Sequence, residues 1–368
     1  MQSRFAPFIS LYLNAQADHH GRDNFHSFVR KEFTSRAKTF PVDSMERVSF
    51  ERNAARVEKY LEKELQESAN GVAIFACAGA DNYFKAIQLD APIRRNKLHH
   101  VSDYPHLYPL ARLIDQHPRY AAVIADTEAA RIFVFDLGQT KSRQELNNAG
   151  ISRSRVGERS QMRYRRRVEN PQQLHAKEIV EMLERVVRDE TVEHIILAGD
   201  EVIIPLLRER LPAHLAEKVI DILRLDIRTP EHEILKATME ALHEDKTHSD
   251  AEKIRDLFDK SRAGGLAVVG LRDTLDALSN GQVDELLLNT SPQEIGADEE
   301  TLRALSSDSD AAATGVALSA QSGESGSAAF AQLLVKHALL SGARITFIED
   351  RKLLADVGGV GAFLRYRI

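Results

Sequence analysis

Short apolar runs alternate along this chain with longer stretches of helical periodicity. The first run, Phe8-Ile9-Ser10-Leu11-Tyr12-Leu13, predicts a strand, and after a polar loop a helix is expected from about Phe25 to Lys38. A longer, more charged helix is predicted from Asp43 as N-cap, with Glu46 three residues on, to about Ser68, where Asn70-Gly71 stops it. Val72–Ala78 and Tyr83–Leu89 read as two strands joined through Gly79-Ala80-Asp81-Asn82. These elements predict a first α/β domain over 1–118.

The stretch AAVIADTEAARIFVFDLG holds two apolar runs around Asp126-Thr127-Glu128 and predicts a hairpin whose second strand is Arg131–Leu137. Polar sequence follows from Gly138 to Glu169. Asn170-Pro171-Gln172-Gln173 is then a helix start, with Asn as N-cap, Pro at the first position and Gln at the capping-box position, and Ile179, Val180, Leu183, Val186 and Val187 share one face. The strand His194–Ala198, the turn Gly199-Asp200, a helix through Arg210 and the strand-like Val219–Leu225 complete a βαβ order that implies parallel pairing over 119–228.

Thr229-Pro230 opens a long helix to about Arg262, ended by Gly264-Gly265. Beyond it the order is Leu266–Val269 strand, Leu271–Ser279 helix, Val283–Asn289 strand, Ala328–Leu340 helix, Ile345–Ile348 strand and Phe363–Tyr366 strand. Residues 229–368 therefore predict a third α/β domain. Its segment SSDSDAAATGVALSAQSGESGS, residues 306–327, has too little apolar surface for a core and is expected to be a mobile excursion.

Composition narrows the function classes. With 368 residues, 43% of them apolar, the chain is not of the disordered type, and Cys77 alone cannot build a disulfide framework. No run approaches the ~20 consecutive apolar residues of a membrane span, and Met1-Gln2-Ser3-Arg4 leads into no signal-peptide pattern, so a cytoplasmic protein without a membrane partner is expected. The formal charge of -6 is unevenly spread. RSRVGERSQMRYRRR, Arg153 to Arg167, holds seven Arg and one Glu, a net +6, which leaves -12 on the rest of the chain. Seven Arg without Lys favour bidentate phosphate contacts and base stacking, which points to RNA.

Other candidates have plainer explanations. His19-His20 with His26, and His99-His100 with His106, lack a Cys partner or HExxH spacing, so no metal is expected. Gly199-Asp200 is too short for a nucleotide fingerprint and is explained by Asp as a helix N-cap; no cofactor is expected. Asp126, Glu128 and Asp200 form the carboxylate set that a metal-dependent nuclease, the remote enzymatic alternative, would need. Cys77 sits in an apolar strand as an inert thiol.

Three segments near the end, VVGLRDTLDALSNGQVDELLL, LLSGARITFIED and VGGVGAFLRYRI, resemble in order the last domain of the archaeal/eukaryotic-type class-1 release factors and Pelota. VIADTEAARIFVFDLG and IILAGDEVIIPLLRERLP resemble the middle domain of the bacterial branch of that family, and FISLYLN fits its opening. The resemblance implies three α/β domains in a tRNA-like arrangement, occupying the ribosomal A site, with Gly358-Gly359 as a structural turn before the last strand. The bacterial branch includes a Pelota-like factor that binds idle ribosomes.

In the family's release factors a Gly-Gly-Gln loop positions water for peptidyl-tRNA hydrolysis. Here Gly157-Glu158-Arg159 precede Ser160-Gln161-Met162-Arg163-Tyr164, so the second Gly and the Gln are missing, and Glu cannot adopt the backbone conformations open to Gly. The Asn-Ile-Lys-Ser and Tyr-x-Cys-x-x-x-Phe decoding motifs are missing as well. The resemblance thus implies a non-catalytic factor whose segment 150–168 contacts ribosomal RNA through Arg153, Arg155, Gly157, Glu158, Arg159, Ser160, Gln161, Arg163, Arg165, Arg166 and Arg167. Its partners would be the 70S ribosome and a delivering translational GTPase such as elongation factor Tu. Protection of idle ribosomes is the leading reading. Pelota-like rescue of stalled ribosomes and hydrolysis through a shifted Gln161 are the alternatives.

Overall fold

The computed structural model describes residues 8–16, 25–66, 69–79, 82–89, 93, 96–100, 104–147, 171–295 and 326–367. They form a mixed α/β structure with three sheets, divided into two compact units, Met1–Gln116 with Ser249–Ile368, and His117–His248.

The first sheet has the order β3-β2-β1-β4, from β1 (Ile9–Asn14), β2 (Gly71–Cys77), β3 (Tyr83–Leu89) and β4 (Lys97–His100), all antiparallel. Every residue of the central β2 is buried, as its unbroken apolar run requires, whereas the edge strand β3 exposes Tyr83 and Lys85 and buries only Leu89. Helices α1 (Phe25–Ala37) and α2 (Met45–Lys63) cover one face, with Phe33 edge-to-face on Phe50 at 5.8 Å. The N-cap of α2 is Ser44, whose Oγ accepts from the Arg47 N–H at 3.2 Å, and not Asp43. Asp43 lies at φ 63°, outside the extended conformation that a capping residue needs, and serves the preceding turn.

Helix α3 (Tyr108–Gln116) and the segment before it fasten this sheet to the C-terminal one within the same unit. Ser10 Oγ accepts from the His106 N–H at 2.9 Å, and the Tyr12 hydroxyl donates to the His106 carbonyl at 2.7 Å. On the other side the Tyr108 hydroxyl donates to the Asn289 carbonyl at 3.0 Å, and Asp115 Oδ2 accepts from the Phe347 N–H at 3.2 Å. Phe347 belongs to an edge strand, so Asp115 satisfies an amide that would otherwise be left open there.

The C-terminal sheet has the order β10-β13-β11-β12, from β10 (Ala267–Val269), β11 (Val283–Asn289), β12 (Arg344–Ile348) and β13 (Val360–Leu364). Strands β11 and β12 are parallel and are joined through a chain that includes the described α9 (Gly326–Ser341). Gly326 and Ser327, expected in the excursion 306–327, are the first turn of α9; residues 306–325 lie outside the described residues. The last strand runs Val360–Leu364 and not Phe363–Tyr366, because Gly358 and Gly359, at φ 70° and 76°, complete the turn early enough for pairing to begin at Val360.

A 32-residue helix, α7 (Glu231–Arg262), buries Ile234 and Ala241 against the middle sheet and Ile254 and Leu257 against the C-terminal sheet. It ends as the glycines predict: Gly264 takes φ 65° and the Gly265 N–H reaches the Lys260 carbonyl at 2.8 Å.

Candidate functional site

All eleven sequence-predicted contact residues, Arg153 to Arg167, lie outside the described residues, as does the Asn170 cap. The structure gives the platform to which their segment is tied. This is the five-stranded middle sheet of order β7-β6-β5-β8-β9, from β5 (Tyr120–Ala125), β6 (Ala129–Asp136), β7 (Gln139–Asn147), β8 (His194–Gly199) and β9 (Val219–Leu223). Strands β5, β8 and β9 are mutually parallel, as the βαβ order predicts. The helices α4 (Pro171–Asp189), α5 (Ile203–Arg210) and α6 (Ala213–Ala216) all pack on one face, and α7 covers the other.

Strand β7 was not foreseen, since QTKSRQELN has almost no apolar alternation. It forms because the turn Leu137-Gly138, at φ 48° and 80°, returns the chain directly onto β6. Its side chains are held by charge and by the ring of Phe133, with the guanidinium of Arg131 4.8 Å and that of Arg143 5.5 Å from the ring centroid. Arg131 also donates through Nη1 to the carbonyls of Ile227 and Thr229, at 2.8 and 2.9 Å. Burial and then the neighbouring Arg143 pull its pKa below the ordinary arginine value.

The two ends of segment 148–170 can be placed. Asn147, the last residue of β7, pairs with Ala129 beside the Asp126–Glu128 turn. Pro171 starts α4, which runs back along the sheet to enter the parallel strand β8. The segment is therefore tied at both ends to the edge of the sheet where the parallel strands β5 and β8 finish.

The far end of α4 is fixed by Arg119, which donates through Nε to Asp136 at 2.9 Å and through Nη1 to the Glu190 carbonyl at 2.8 Å. All five residues predicted to share the apolar face of α4 are buried. The helix that follows the Arg-rich segment is thus packed along one whole face and hydrogen-bonded at its far end.

At the same edge stand the acids considered for a nuclease. Asp126 Oδ1 accepts from the N–H groups of Glu128 and Ala129 at 2.8 and 2.7 Å, and Asp200 Oδ1 from those of Val202 and Ile203 at 2.9 and 2.8 Å. These are Asx turns; the one at Asp200 leads into α5, whose N-cap position is Val202 and not Asp200 as the sequence predicts. Among the described residues no group of three or more His, Cys, Asp or Glu could hold a metal ion. Gly199 explains itself sterically: at φ 156°, a Cβ there would meet the Ala125 carbonyl oxygen at 2.1 Å. Cys77 is fully buried. No described helix is long and apolar enough to cross a membrane.

Residues 105–243, which include the whole middle sheet, match the model of bacterial archaeo-eukaryotic release factor family 10. Over this segment the chain is similar to that release-factor family. This agrees with the resemblance carried by the two middle-domain motifs, which lie inside the matched residues.

Among solved structures, the archaeal translation termination factor aRF1 aligns at 17% identity over 99% of this chain and 94% of its own, with a TM-score of 0.27. Ribosome-bound archaeal Pelota, solved with ABCE1, aligns at 15% over 81% and 78%, with a TM-score of 0.44. Dom34 of S. cerevisiae, a termination-like factor that interacts with Hbs1, aligns at 12% over 81% and 79%, with a TM-score of 0.46. No curated protein sequence matches the chain.

Proposed function

We propose that the chain is a non-catalytic translation factor that enters the vacant ribosomal A site and protects idle ribosomes in the cytoplasm. One observation carries the reading: the release-factor-like segment 105–243 contains a seven-Arg stretch where release factors of this class carry Gly-Gly-Gln. The described chain on either side of it, at Asn147 and at Pro171, lies at one edge of the middle sheet. In this reading Arg153, Arg155, Arg159, Arg163, Arg165, Arg166 and Arg167 grip ribosomal RNA near the peptidyl-transferase centre, and Gly157, Glu158, Ser160 and Gln161 complete the contact without chemistry. Domain 1–118 faces the decoding centre, 119–228 carries the loop and 229–368 meets a delivering GTPase, with elongation factor Tu as the bacterial candidate. Glu158-Arg159 stand where hydrolysis needs Gly-Gln, so the factor holds the site and does not release peptide.

Purified protein added to 70S ribosomes loaded with peptidyl-tRNA should release no peptide at any codon. Release that disappears in Gln161→Ala would make the chain a hydrolase with a shifted glutamine. Preferential binding to stalled ribosomes over vacant ones would favour the rescue role.

A further inference from the structure

The described structure contains a second cationic surface, on the outer face of α1, that the functional reading does not use. Its opposite face is spent on the core, where Phe25, Val29 and Phe33 are buried under the first sheet. Arg30, Lys31 and Lys38, the last directly after the helix, are exposed, with exposed Thr34 between them. At 1.5 Å per residue they extend over ~12 Å of helix axis. Residues 30–38 also hold Arg36 and a single acid, Glu32, both half-buried and turned towards the core side of the helix, so the exposed face carries three cations on a chain whose formal charge is -6.

Many cations elsewhere on this chain have a partner: Arg47 pairs with Glu51 at 2.9 Å on the very next helix, Lys253 with Glu285 at 2.9 Å and Lys260 with Asp256 at 2.7 Å. Arg30, Lys31 and Lys38 have no carboxylate partner among the described residues. A face of unpaired cations with a hydroxyl among them suits a polyanion and has no apolar side chain to insert into a lipid surface.

We propose that this face of α1 is a second RNA-contacting surface, in the first domain, that grips the phosphate backbone without reading base sequence. It rests on the reading that RNA is the partner, and is separate in the chain from the Arg153–Arg167 stretch. Each phosphate contact releases counterions, so its signature is a salt slope.

The test compares the full chain, the Arg30→Gln/Lys31→Gln/Lys38→Gln variant and an Arg163→Ala/Arg165→Ala/Arg166→Ala variant. Binding to purified 70S ribosomes and to protein-free 16S ribosomal RNA is followed across a sodium chloride series, with thermal melts alongside. The α1 variant should melt like the parent, bind both probes at least tenfold more weakly, and lose about three units of salt slope. The single charge reversal Lys31→Glu should weaken binding in the same direction should the triple variant fold poorly.

Parent-like binding of folded α1 variants to both probes would overturn the proposal. So would a parent that binds neither probe, which would remove the A-site reading too. A parent that binds free RNA through α1 but not ribosomes would support this inference and contradict the A-site reading alone.

Discussion

Gln332 holds the backbone before α3 from both sides: its Oε1 accepts from the Tyr108 N–H, and its Nε2 donates to the Pro105 carbonyl, each at 3.0 Å. The side chain stands in for a missing strand, pairing one donor and one acceptor that have no ladder to join. Gln332 and Tyr108 are both buried, so the Tyr108 N–H cannot turn to water instead, whereas Pro105 is half-buried.

Replacing Gln332 by Leu keeps the volume and orphans both groups. At ~1–3 kcal/mol for a buried group left unpaired, with the half-buried Pro105 carbonyl adding little, the variant should lose about 1–3 kcal/mol in urea unfolding. A loss below about 0.5 kcal/mol would mean that the strap is not held by this pair.

Gly199 sets how closely β8 can finish against β5. Gly199→Ala puts a methyl 2.1 Å from the Ala125 carbonyl oxygen, and backbone cannot yield as a flexible side chain would. The expected cost is ~2 kcal/mol or more. Gly281→Ala, at φ 67° with nothing within 4 Å, should cost only about 1–2 kcal/mol of backbone strain. Equal thermal melts for Gly199→Ala and the parent would contradict the close approach.

Stability should depend on pH through two histidines. Burial lowers the pKa of His194 on β8, offset in part by Glu193 and Asp245, and burial then Lys336 lowers that of His337 on α9. Both bind fewer protons folded than unfolded, so their contribution is complete above the ordinary histidine pKa of ~6.5 and falls as the pH drops below it. Urea midpoints measured from pH 7.5 to 5 should decline below about pH 6.5, and less steeply in His194→Gln. A midpoint that holds or rises towards pH 5 would reject the assignment.

Much of the fold was legible wherever apolar spacing carried the information. The strands β2, β5, β6, β8 and β11 and the buried face of α4 follow from runs and periods that burial then enforces. What escaped was held by other forces. Strand β7 owes its place to a tight turn and to Arg131 and Arg143 on Phe133, and β4 to pairing with β1; neither leaves an apolar signature. Helix α3 is short, and its docking depends on Gln332, Asn289 and Phe347, more than 180 residues away in sequence. The candidate contact stretch stands out in composition, seven Arg in fifteen residues, and lies between motifs that resemble those of the matched release-factor family. The turn positions of Asp126 and Asp200 were legible from the sequence, but not which N–H groups their carboxylates accept from.

The central claim is that the Arg-rich stretch binds the ribosome while the fold does not depend on it. The direct measurement is sedimentation of the full chain with vacant 70S ribosomes over a salt series, beside Arg163→Ala/Arg165→Ala/Arg166→Ala. The parent should pellet with ribosomes at low salt and dissociate steeply as salt rises. The variant should melt within about 0.5 kcal/mol per substitution of the parent, bind far more weakly and lose about three units of slope. A parent that stays in the supernatant at low salt, or a folded variant that binds unchanged, would contradict the account.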